Sequence, residues 1–77
     1  MNLINGRNYF NEKSLEEMIK HLDNGDTIGI YIDCVGHTRS ERETETYIEE
    51  LQKHYGNKLI IDRVTSHIPT CKLKEQA

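Results

Sequence analysis

Two isoleucine-rich runs constrain this chain more than anything else in it. Thr27 to Cys34 reads T-I-G-I-Y-I-D-C, Lys58 to Val64 reads K-L-I-I-D-R-V, and a helix-patterned stretch separates them. Runs of β-branched residues this short fit pleated strands. In the first, Ile28, Ile30, Ile32 and Cys34 share one face, with Gly29, Tyr31 and Asp33 on the other. A strand that is apolar on one side and mixed on the other suits a central position with helices over one face. Strand, helix and strand with short links predict a βαβ unit, its strands parallel and its crossover right-handed.

The flanking segments complete the expected architecture. Asn5-Gly6, between Leu3-Ile4 and Tyr9-Phe10, has the residues of a type I′ turn and predicts a small N-terminal hairpin. Ser14 with Glu17 forms a capping box ahead of Leu15, Met18, Ile19 and Leu22, one apolar helical stripe that Asn24-Gly25 closes. A second helix follows, capped at Thr38 with Glu41 or at Ser40 with Glu43, and Gly56 stops it after Tyr55. Its apolar side is narrow (Tyr47, Ile48, Leu51, Tyr55), and Arg39 to Thr46 contains no apolar residue. Pro69 demotes the tail to a loop or edge, although Thr70 to Lys74 alternates and can supply a last edge strand. The expected fold is a small two-layer α/β (α+β) sandwich: N-terminal hairpin, then α-β-α-β with a parallel βαβ unit and that C-terminal edge strand.

Composition bounds the functional classes. At 77 residues the chain holds one domain, residues 1–77. Apolar residues are 35% and charged residues 30%, so the core is thin and nine Ile concentrate it. A chain this small draws little net stability from its own burial, and self-association as a homodimer would offset that. The net charge of −3, with Lys and Arg scattered, argues against nucleic acid as a partner. No apolar run is long enough for a membrane span, and the first residues show no basic-then-apolar leader. Two Cys without an export signal point to the cytoplasm and to free thiols.

Chemistry-bearing residues gather after the two Ile-rich runs. I-Y-I-D-C-V-G-H and I-I-D-R-V-T-S-H echo one another, each with Asp, then Val two residues on, then His. Parallel strands would bring Asp33, Cys34, Gly36, His37, Arg39, Asp62, Ser66 and His67 to one sheet rim, where open α/β sheets bind ligands. Cys34-x2-His37 and His67-x3-Cys71 have spacings that a tetrahedral zinc site can use. Four His and two Cys supply such a set by chance, however, and no cofactor is assigned. Asp33 and Asp62, if side by side, could share Mg2+ or a proton. Cys34, four residues and then Arg39-Ser40 resembles the active-site loop of rhodanese-type sulfurtransferases, which would imply a thiol-dependent enzyme. Gly36 stands two residues after the Cys where those enzymes carry Gly three after, and no catalytic residue is assigned.

The second helix offers a different reading. Glu41, Glu43, Glu45, Glu49 and Glu50 face only Arg42 between positions 41 and 50, a charge pattern that can dock into a basic groove. Tyr47 adds an amphipathic anchor of the kind enriched at interfaces. In size, acidity and lack of a complete catalytic set the chain is similar to phage and mobile-element accessory proteins that inhibit host enzymes. That similarity implies a non-enzymatic inhibitor or adaptor, with Glu41, Glu43, Glu45, Tyr47 and Glu49 meeting a protein partner. The alternative is a small-molecule, nucleotide or metal-binding domain that uses the Cys34 to Arg39 loop.

Overall fold

The computed structural model describes residues 2–7, 9–33, 37–63 and 68–74, with the side chains of 37–40 outside that description. Along the chain come β1 (Asn2–Asn5), α1 (Glu12–Asp23), β2 (Ile28–Tyr31), α2 (His37–Tyr55), a 3-10 turn (Gly56–Lys58), β3 (Leu59–Asp62) and β4 (Thr70–Leu73). The strands form one mixed sheet in the order β1-β2-β4-β3. Met18 and Leu22 of α1 and Tyr47, Ile48 and Leu51 of α2 share a core with Ile4, Ile28, Ile30, Leu59 and Cys71 of the sheet. Both helices therefore cover the same sheet face, as a two-layer sandwich requires.

The parallel βαβ unit is present, but β1, α1 and β2 form it. Asn2 to Asn5 pair in parallel with Ile28 to Tyr31. The expected N-terminal hairpin does not form. The Asn5 side chain accepts from the Arg7 backbone N–H at 2.8 Å, and Arg7 takes the positive φ of 67°. Gly6 serves close approach: a Cβ there would sit 2.5 Å from Ile32 Cδ1 and 2.7 Å from the Tyr47 ring. Its N–H continues the ladder by donating to the Tyr31 carbonyl at 2.7 Å.

Helix α1 is capped three residues before the expected position. Asn11 is the N-cap, its Oδ1 accepting from the Lys13 and Ser14 N–H groups at 2.9 and 3.3 Å. Asn satisfies these first-turn donors as well as Ser does. Ser14 is freed for a tertiary contact: it is buried and its hydroxyl donates to the Asn5 carbonyl at 3.1 Å. The C-terminus closes as expected on Asn24-Gly25. With Gly25 at φ 87°, its N–H reaches Leu22 O and the Asp26 N–H reaches His21 O, both at 3.0 Å. Those two bonds are a Schellman motif.

The end of the chain departs most from expectation. β4 is an interior strand, antiparallel to both β2 and β3. Pro69 permits this because it stands just ahead of the strand, where its missing N–H costs no ladder bond and its carbonyl accepts from Ile30 N–H at 3.1 Å. β2 and β3 consequently run in the same direction, with β4 between them rather than side by side.

Candidate protein-binding surface

Helix α2 begins at His37, so Thr38 and Ser40 lie inside it rather than at its cap. Thr44, Tyr47, Ile48 and Leu51 are buried against the sheet, and Tyr55 is half-buried. Their spacing of three and four residues leaves the remaining faces to solvent. Glu41, Glu45 and Glu49 follow at four-residue intervals and are exposed, while Glu43 is half-buried on a flank. The acidic side chains are thus held on a helix whose opposite side is core. Glu45 and Glu50 engage nearby cations. Glu45 Oε1 lies 2.7 Å from the Arg63 guanidinium, both about half exposed, and Glu50 lies 3.1 Å from Lys53 Nζ.

Tyr47 is not an interface anchor. It is fully buried, stacks on Phe10 with centroids 5.1 Å apart, and donates its hydroxyl proton to Gly6 O at 2.6 Å while accepting from Asn11 N–H at 2.8 Å. A buried hydroxyl needs such partners, and here they are the backbone of the β1–α1 loop. Burial holds its pKa above the ordinary tyrosine value. Tyr55 ties the far end of α2 to α1, its hydroxyl 2.7 Å from Asp23 Oδ1 and 3.2 Å from Ile19 O. Its pKa is raised first by burial and then by the Asp23 carboxylate.

β2 and β3 run the same way, but the carboxylates of Asp33 and Asp62 are not neighbours. Asp62 pairs with Thr70, which pairs with Gly29, so Asp62 is level with the middle of β2. Asp33 lies beyond the end of β2 at Tyr31, on a strand two places away in the sheet. Two inter-strand spacings alone amount to roughly 10 Å, which prevents a shared proton between these strand positions. Cys34, Gly36, Ser66 and His67 lie outside the described residues, as do the side chains of His37 and Arg39.

Cys71 is fully buried on the helix-covered face. Burial pushes its thiol up to about 11, with Arg63 opposing and Glu45 adding to the effect. Such a thiol is protonated at neutral pH and is a poor nucleophile there. Among the described residues no three His, Cys, Asp or Glu side chains group as a metal site, and no helix is long and apolar enough to cross a membrane.

Sequence reasoning missed Arg63 and Asn11. The Arg63 contact to Glu45 joins residues brought together by the sheet order, which carries no local spacing signal. Asn11 carried one, since Asn before a Glu-led helix is a cap signal, but Ser14 competed with it. Comparison of the chain with protein-family models, curated proteins and solved structures returns no match.

Proposed function

We propose that this chain is a non-enzymatic protein-binding domain, an inhibitor or adaptor that presents the exposed acidic side of α2 to a basic groove on another protein. The observation that carries the reading is the combination of exposed Glu41, Glu45 and Glu49 with a helix anchored through Tyr47, Ile48 and Leu51. A charged surface held by a packed scaffold loses little conformational freedom on binding, and charge complementarity speeds and orients encounter. A phage or mobile-element accessory protein acting on a host enzyme is the setting that size and acidity suggest, with the cytoplasm as its compartment. Glu43 contributes at the flank, and Tyr47 contributes by fixing the helix rather than by touching the partner.

The test is a charge reversal. Glu41→Lys, Glu43→Lys and Glu45→Lys together should remove a binding partner identified with the native protein while the circular dichroism spectrum stays the same. Cys34→Ser and His37→Ala should leave binding intact. The opposite pattern, loss with the loop variants and none with charge reversal, would replace this reading with a ligand site at the Cys34 to Arg39 loop.

A further inference from the structure

The strand β3 ends the sheet, and among the described residues none pairs with its outer side. We propose that this edge pairs, antiparallel and across a two-fold axis at Ile60, with a second copy of the chain.

The backbone sets the phase. Lys74 N–H donates to Lys58 O at 2.7 Å, continuing a ladder in which Ile60 pairs with Lys72 and Asp62 with Thr70. Residues 58, 60 and 62 therefore turn their backbone groups toward β4, and Leu59 and Ile61 turn theirs outward. The Leu59 N–H is already used by the Gly56 carbonyl. What the edge offers is the Leu59 carbonyl together with the Ile61 N–H and carbonyl.

Three antiparallel registers match that phase. Leu59 opposite Leu59 sets Lys58 against Ile60 of the second copy. Ile61 opposite Ile61 sets Ile60 against Asp62. Leu59 opposite Ile61 sets Ile60 against Ile60 and Lys58 against Asp62, and symmetry repeats that charge pair on the other side. Only the last register matches apolar with apolar and cation with anion. It also lets the Ile61 N–H of each copy donate to the Leu59 carbonyl of the other.

The side chains suit it. Ile60 is 37% exposed on the helix-free face, and Lys58 and Asp62 are exposed. In this register the three positions fall at non-hydrogen-bonded pairs, where facing Cα atoms approach to about 4.5 Å and side chains interact most closely. The pattern cation, isoleucine, anion is self-complementary under a two-fold axis, as an isologous contact demands. A four-residue strand lies at the small end of interface sizes, so the association is concentration-dependent and reversible. It is independent of the acidic surface proposed above.

Sedimentation velocity from micromolar to millimolar protein tests the pairing, with amide exchange at Ile61 as the local readout. The native chain should move from monomer to dimer as concentration rises, and the Ile61 amide should gain protection with it. Ile60→Lys, at an exposed position, should abolish dimerisation without unfolding the monomer. Lys58→Asp or Asp62→Lys alone should weaken it about tenfold, and the two together should restore it. A monomer at all concentrations overturns the proposal. So does a dimer that tolerates Ile60→Lys, or a charge exchange that restores nothing, which would mark Lys58 and Asp62 as edge-blocking charges.

Discussion

The two helices lie on the same sheet face but stand in different relations to it. α1 is capped at both ends, by Asn11 and by the Schellman turn at Gly25, and buries Ser14, Met18 and Leu22 along its whole length. α2 is longer, 19 residues against 12, yet among its described residues burial begins only at Thr44. Its second half is core and its first half carries Glu41, Glu43 and Glu45. Helices in small domains owe most of their stability to an amphipathic face. A stretch of helix without a buried side chain, which among the described residues of α2 is 41–43, presents surface rather than building core, and that contrast separates scaffold from candidate binding site here.

Substitutions should divide along the same line. The largest effect belongs to the scaffold: Met18→Ala should cost about 2–5 kcal/mol through the cavity it leaves. Glu49→Ala should stay within about 0.5 kcal/mol in the same urea titration. Tyr47→Phe comes next, at about 1–3 kcal/mol, because Gly6 O and Asn11 N–H each lose a partner in a water-poor site. Asn11→Ala should cost about 1 kcal/mol by removing the cap of α1. An equal loss from Glu49→Ala and Met18→Ala would erase the distinction between the helices.

Alkaline pH gives a smaller, graded effect. Cys71 rises from 9.0 to about 11, and Tyr47 and Tyr55 are also raised, so the folded state holds these protons more tightly than the unfolded chain. The stability they contribute is complete below the unfolded values and is lost as pH climbs through the folded ones. Melting temperature should thus fall from about pH 9 upward. Cys71→Ala should flatten the first part of that slope, and a slope unchanged by it would remove the thiol from the account.

What could be read from the sequence was local. The α1 stripe, the ends of both helices at Gly25 and Gly56, and the positions of β2 and β3 follow from periodicity and from glycine's tolerance of positive φ. The N-terminal pairing did not follow, because Asn5-Gly6 signals a hairpin turn as readily as a close approach to Ile32 and Tyr47. The interior place of β4 was hidden by Pro69, whose penalty applies within a strand and not one residue before it. Tyr47 looked like a surface anchor because its partners, Gly6 and Asn11, lie far away in sequence. The acidic residues of the candidate surface were visible as a charge run. That Glu45 meets Arg63 depends on the sheet order and could not be seen.

The most direct measurement of the central proposal is comparative affinity capture in rising salt, read by quantitative mass spectrometry. The native chain and the Glu41→Lys, Glu43→Lys, Glu45→Lys variant would be immobilised at equal density after their melting temperatures are shown to agree. A partner held by the native chain, released by salt and lost from the variant is the expected result. A partner held equally by both would contradict the acidic face of α2 as the binding surface.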